Sequence, residues 1–225
     1  MRRAARAVAL LPAVLAATGC FDAHSVDQGP WVIDDFEDGD LNPADRNFGL
    51  WGCYTYSPPG QYCLAALGPG DQGAFSLALD FTIADPADGK LEYGGAGVQT
   101  LATTPENFSR FNEMVFSSKI VSGAPASPSS PQLSVRLGCS TAQLEDGTQP
   151  GDLYVVQTFV PTSEWQPFSL PITQFSAPPY DTAHILGGPA ACTRRVDIIQ
   201  FDAQLQLPDG QSAMGRLNVD EINFQ

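Results

Sequence analysis

Period-two alternation of apolar and polar residues constrains this chain more than any other feature. In GAFSLALDFTIA (73–84), Phe75, Leu77, Leu79, Phe81 and Ile83 fall on one face of an extended strand, with Ser76, Ala78, Asp80 and Thr82 on the other. In PQLSVRLGCS (131–140) Leu133, Val135, Leu137 and Cys139 share a face, and Phe201, Ala203, Leu205 and Leu207 repeat the pattern. The 21 glycines and 19 prolines are scattered throughout and leave few windows for an uninterrupted amphipathic helix. Turn clusters such as GPGDQG, ADPADG, SGAPASPSSP and EDGTQPGD separate the alternating runs. Many short strands with regular turn signals predict an all-β chain, a β-sandwich or jelly roll, as one domain over residues 31–225. Residues 122–131 read as an exposed loop.

The first 19 residues read as an address. Arg2, Arg3 and Arg6 form a basic start, and Ala7 to Ala17 an apolar run too short to span a bilayer. The run closes on Ala17-Thr18-Gly19-Cys20, which resembles a bacterial lipobox. That resemblance implies cleavage before Cys20 and a diacylglycerol on its thiol, with residues 20–30 as a short tether. The expected location is the cell envelope. Phe21, where some lipoproteins carry an inner-membrane retention aspartate, points to the outer membrane. Residues 1–19 hold three of the 11 basic residues and no acids, so the exported part has 8 basic and 25 acidic residues, a net charge of −17. Such a surface argues against nucleic acid and anionic lipid as partners. A monomer is expected.

Four further cysteines, an even number in an exported chain, read as two disulfides, and three pairings are open. The preferred one joins Cys53 to Cys63 around Ser57-Pro58-Pro59-Gly60, and Cys139 to Cys192 between distant strands. Without a CxxC pair, and with His24 and His184 far apart, the pattern argues against zinc.

VIDDFEDGD (32–40) packs five acidic side chains into nine positions beside Val32, Ile33 and Phe36. Near the other end, GRLNVDEINF (215–224) places Asp220 on one strand face with Ile222 and Phe224 by period two, a costly position unless something pairs the carboxylate. A first strand ending in Asp-Phe-Glu-Asp-Gly and a last strand reading Val-Asp-Glu-Ile-x-Phe resemble the galactose-binding-like jelly rolls, and among them the family 11-like carbohydrate-binding modules. NFGLWGCYTY, NFSRFNEMVFSSKI and SEWQPFSLPITQF are similar to further family segments in the expected order. The resemblance spans about residues 31–225. It implies a structural Ca²⁺ where the first and last strands meet. Glu37 and Asp220 are the matching ligands, and Asp35 or Asp38 and backbone carbonyls complete the shell, a hard-oxygen set that suits calcium.

The resemblance also implies non-catalytic carbohydrate binding, to a polysaccharide or glycan. Sugar recognition needs flat aromatic faces and nearby hydroxyl partners. The densest aromatic cluster, GLWGCYTYSPPGQYC, supplies Trp51, Tyr54, Tyr56 and Tyr62, and alternation puts Tyr54 and Tyr56 on one face, opposite Trp51 and Cys53. Tyr93, Tyr154 and Tyr180 are weaker candidates of the same kind; Trp165 reads as core and Asp80 as facing water. No Ser or Cys motif near His184 suggests a triad, no carboxylate spacing suggests a glycosidase, and no glycine-rich phosphate loop follows a strand. The competing expectation is a structural or protein-interaction surface lipoprotein with the same fold and no sugar site.

Overall fold

The computed structural model describes residues 30–56, 61–84, 93–122, 132–178, 184–206 and 210–225. The expected signal peptide, Cys20 with its expected lipidation, and the expected tether up to residue 29 lie outside the described residues, as do Tyr180 and most of the 122–131 loop. Among the described residues no helix is long and apolar enough to cross a membrane.

Two antiparallel sheets form a β-sandwich. The first has the order β3 (Tyr62–Pro69), β4 (Phe75–Ala84), β11 (Ser212–Phe224), β6 (Glu113–Ser122), β9 (Gln166–Pro171), and β1 (Trp31–Asp34) also pairs with β11. The second has the order β2 (Gly52–Tyr56), β5 (Tyr93–Glu106), β10 (Val196–Gln206), β7 (Gln132–Gly138), β8 (Tyr154–Phe159). A short helix, α1 (Pro189–Thr193), precedes β10.

The alternation read from β4, β7 and β10 sets their inward faces. Leu77, Leu79, Phe81 and Ile83, then Leu133, Val135 and Leu137, then Phe201, Ala203 and Leu205, are all buried between the sheets. Phe75, at the start of β4, is the exception and is partly exposed. Phe116 of one sheet meets Phe201 of the other edge-to-face at 5.1 Å, and Phe201 lies 6.2 Å from Trp51. On the outward face Asp80 does not simply face water: Arg216 of β11 holds it through two hydrogen bonds of 2.6 and 2.7 Å. Trp165 lies half-buried with the Lys119 ammonium 4.6 Å over its ring, and not in the core expected for it.

Both preferred disulfides are formed. Cys53 and Cys63 staple β2 of one sheet to β3 of the other. Cys139, just past β7, is joined to Cys192 in α1, so the second bridge ties a strand end to a helix rather than two strands.

The last strand departs from plain alternation where its carboxylates lie. Asp220 pairs with Ser117 but Asn223 with Val115, so the register slips by one residue, and Glu221 takes a positive φ of 54°. Ser117 and Val115 share a face, so Asp220 and Asn223 share it too, with Ile222 and Phe224 on the other. The bulge moves Asp220 off the core-facing side that strict period two assigned it. Next to this bulge β4 ends its pairing with β11 and β1 begins, Asp34 opposite Ile222 and Trp31 opposite Phe224.

Candidate functional site

The outward face of the second sheet carries the polar residues of the alternation. On β7 these are Gln132, Ser134 and Arg136; on β10 they are Gln200, Asp202 and Gln204. On β5, Gly97 and Gly95 lie opposite Asp202 and Gln204, and Gln99 lies opposite Gln200. Tyr54 pairs with Gly97 and Tyr56 with Gly95, and a β-carbon would come within 2.5 Å of the Tyr54 ring and 2.0 Å of the Tyr56 ring. The bare backbone lets both rings lie across β5, stacked on each other at 6.3 Å, and reach β10. There the Tyr54 hydroxyl donates to Asp202 Oδ1 at 3.1 Å and the Tyr56 hydroxyl to Oδ2 at 2.9 Å.

Asp202 is fully buried and pairs with Arg136 at 2.5 Å. The guanidinium lies 5.3 Å from the Tyr56 ring and 4.8 Å from the Tyr154 ring, so aromatic and charged groups cross the sheet from β2 to β8. Burial pushes the Asp202 carboxyl above its ordinary range, opposed by Arg136 and the two hydroxyls. Burial alone would lower Arg136, but Asp202 together with Tyr56, Tyr54 and Tyr154 outweighs it and the guanidinium is held charged. Burial, then the Asp202 charge, pushes both tyrosine hydroxyls up, so they serve as donors.

Above this network lies an open cleft of ≈ 940 Å³. Tyr56, Arg136 and Tyr154 line it together with the amides of Gln132, Gln157, Gln174 and Gln204 and the hydroxyls of Ser134 and Ser176. Two of its lining residues also carry a buried side-chain atom, Arg136 Nε and Gln157 Oε1, without a hydrogen-bond partner among the described residues. A buried donor and a buried acceptor left unmade each cost about 1–3 kcal/mol. No Asp or Glu borders the cleft among the described residues, and Asp202 lies beneath it, tied to Arg136.

Of the four aromatic residues singled out by the sequence, the structure brings Tyr54 and Tyr56 together here. Trp51 is not at a ligand surface: it is 1% exposed, its ring packs on Phe36 and Phe201, and its indole N–H donates to Asp34 Oδ2 at 2.9 Å. Tyr62 is exposed, but on edge strand β3 of the other sheet, away from the cleft. Sequence reasoning missed Arg136, Asp202 and the paired glycines. Their signal was present in the polar phase of β7 and β10, opposite the apolar phase that was read.

The carboxylates at the junction of first and last strands are partly assembled. Asp220 is 1% exposed and accepts the Asp71 amide at 2.8 Å and the Glu221 amide at 2.9 Å. Burial, and after it the Glu221 and Glu37 charges, push its carboxyl up to about 6 despite those amides. Glu37 reaches the same loop, lying against Gly73 and accepting the Phe75 amide at 3.4 Å. Asp35 does not join them; its exposed carboxylate accepts the amide of Glu37 two residues on, and Asp38 likewise accepts that of Asp40. Among the described residues no three His, Cys, Asp or Glu side chains converge as a metal cage. Two carboxylates in mutual repulsion fit as the charged donors for a hard cation, with backbone oxygens and water needed for the rest of its six to eight ligands.

Among solved structures the chain is similar to the family 11 carbohydrate-binding module of the cellulosomal cellulase Lic26A-Cel5E of Clostridium thermocellum, at 20% identity and a TM-score of 0.56, over 87% of this chain and 94% of that one. A Clostridium thermocellum family 11 module in complex with a β-1,3-1,4-mixed-linked tetrasaccharide matches at 20% identity and a TM-score of 0.55 over the same shares. This chain has the β-sandwich fold of the family 11 carbohydrate-binding modules. No family model matches the sequence, and no curated protein does. At such identities the likeness carries the fold, and the site must be argued from its own chemistry.

Proposed function

We propose that this protein binds carbohydrate without catalysis, through the cleft over Tyr56, Arg136 and Tyr154. The observation that carries the reading is the lining of the cleft, where Tyr56 and Tyr154 lie beside Arg136 and the amides of four glutamines. A sugar hydroxyl both accepts and donates, as a glutamine amide does, and the C–H face of a pyranose rests on a tyrosine ring. Among the described residues the one cation bordering the cleft is neutralised by Asp202, and four amides supply the other partners, a lining suited to a neutral glycan. Glycoside hydrolysis needs two carboxylates flanking the bond, and the cleft offers no such pair among the described residues.

The exported form is a lipoprotein held to the outer membrane by acyl chains on Cys20, with the tether carrying the sandwich away from the surface. A calcium ion held by Glu37 and Asp220 closes the junction of β1 and β11, relieving the repulsion at Asp220. The lipidation reading rests on the sequence around Cys20, and Cys20→Ala should abolish acyl labelling in a bacterial host. The test of function is a titration of the purified protein against soluble polysaccharides. Mixed-linked β-1,3-1,4-glucan goes first, since its tetrasaccharide is bound by the similar module. Binding that is lost in Tyr56→Ala and Arg136→Met supports the proposal; folded protein that binds no glycan on a broad panel overturns it.

A further inference from the structure

A second concavity lies at the other end of β7 from Gln132, where the Cys139–Cys192 bridge holds two loops together. The turn after β7 and the segment before β10 are joined there by an isolated bridge between Leu144 and Ile185, and by the Leu186 amide donating to the Gln143 carbonyl at 2.8 Å. Gly187 and Gly188, at φ of 83° and 71°, turn the chain into α1, and the Ala191 amide returns to the Gly188 carbonyl at 2.9 Å. The frame is therefore fixed by a covalent bridge and by backbone hydrogen bonds on both sides. Between its two arms is a hollow of ≈ 230 Å³ bordered by Ala142, Gln143, Leu186, Ala191, Arg194 and Arg195.

The two arginines bring two cationic side chains to one hollow. Of the eight basic residues after position 19, Lys90 lies outside the described residues, Arg136 and Arg216 are paired with aspartates, Arg110 and Lys119 lie over aromatic rings, and Arg46 is exposed and does not border the hollow. Arg194 and Arg195 are exposed, and among the described residues neither guanidinium is hydrogen-bonded or ion-paired. They do not bond the last carbonyls of α1, the usual task of basic residues at a helix end. The acid two residues beyond, Asp197, is no partner either: it is buried and takes both the amide and the hydroxyl of Ser140. Two uncommitted guanidinium groups therefore border a preformed hollow with an apolar side of Ala142, Leu186 and Ala191 and one amide.

The geometry points to a second binding site here, for a single oxyanion group, a carboxylate, sulfate or phosphate. Guanidinium forks match such groups bidentately. The volume lies below the ~300–1,000 Å³ of drug-sized pockets, so it accepts one charged unit and not a long ligand. The net charge of −17 after position 19 repels polyanions, which leaves a small monoanion or an isolated charged unit as the ligand. The site is separate from the cleft and shares no residue with it.

The test is titration of the purified protein with sodium glucuronate, sodium sulfate and sodium phosphate at constant low ionic strength, followed by NMR, with glucose as the uncharged control. Saturable millimolar binding of one of the anions is expected, at least tenfold weaker in the doubly substituted Arg194→Gln, Arg195→Gln protein and unchanged in Tyr56→Ala. Glucuronate binding more tightly than the inorganic anions identifies a sugar-borne carboxylate as the ligand; the reverse order identifies a free oxyanion, and either upholds the site. No saturation with any anion, equal binding by the double variant, or equal binding of glucose overturns it. Both arginines are exposed, so an unchanged Tm shows the double variant is folded and makes its result decisive.

Discussion

Tyr56 lies across Gly95 so closely that a β-carbon on the glycine would fall 2.0 Å from the ring's Cζ. The contact links the cleft to a backbone position on β5, the strand next to that of Asp202. It puts the Tyr56 hydroxyl on Asp202 and leaves the ring beneath the Arg136 guanidinium. Gly95→Ala must lift the ring, and overpacking of this kind costs about 1–3 kcal/mol. The expected outcome is a folded protein whose glycan affinity falls about tenfold or more, read by calorimetric titration.

The buried pair makes the opposite kind of prediction. Asp202→Ala leaves Arg136 charged in a site where it is only 11% exposed, and loss of one partner of such a pair costs about 3–5 kcal/mol. Replacing both, as Arg136→Met with Asp202→Leu, should restore most of the stability in denaturant unfolding. Glycan binding should stay lost in the double variant, because it lacks the guanidinium donor.

Stability should fall as pH rises from 5 to 8. Asp34 is buried under Trp51, and burial holds its carboxyl up at about 7 against an ordinary 3.8, despite hydrogen bonds from the Phe36 amide and the Trp51 indole. Between those two values unfolding releases a proton, so rising pH favours the unfolded chain. The contribution of Asp34 is complete below pH 3.8 and is lost as the pH passes through 7. Asp220, raised to about 6, acts in the same direction. Melting curves in chelator should show Tm decreasing over this range, with a shallower slope in Asp34→Asn. That variant should also melt lower at pH 5, since its amide N–H₂ opposes the indole N–H.

Calcium should reverse part of that loss. A ligand at 100 times its Kd adds about 2.7 kcal/mol. For a chain of this size each kcal/mol raises Tm by about 2–4 °C. The predicted shift of roughly 5–10 °C at pH 7.5 should vanish in Asp220→Asn and Glu37→Gln. An identical Tm in calcium and in chelator would remove calcium from the account of this fold.

The two disulfides should differ in weight. Their cysteines are 10 and 53 residues apart, so loop-closure entropy assigns about 3 kcal/mol to Cys53–Cys63 and about 4 kcal/mol to Cys139–Cys192. Cys139 and Cys192 are also fully buried, which adds a packing loss when both become alanine. The double alanine variant of that pair should melt lower than the Cys53, Cys63 one. It should also lose the anion site framed by the bridge while leaving the tyrosine cleft able to bind.

Much of the architecture was legible in the sequence. Alternation in β4, β7 and β10 is a local property: a strand buried on one side must place its apolar side chains at every second position, and these strands do so with Leu77, Val135 and Phe201. The stacking of Tyr54 and Tyr56 on one face followed from the same rule. What alternation could not supply was register. It cannot tell that β5 lies beside β2, so the meaning of Gly95 and Gly97 as seats for two rings appears only once Tyr56 is opposite Gly95. Nor could it bring Arg136 to Asp202, since their strands are neighbours through a pairing 66 positions apart in the chain. At Asp220 the simple period failed outright, because a bulge with Glu221 at positive φ inserts one residue and turns the carboxylate to the other side. Trp51 was placed by its surroundings: a ring this large is buried or displayed according to what faces it, and here Asp34 meets its N–H while Phe36 and Phe201 enclose its sides. Outside that bulge, the sequence by itself determined which residues of a strand point the same way, because that depends on the backbone alone. Which strands lie side by side, and hence which side chains form a site, was decided by tertiary pairing across long loops.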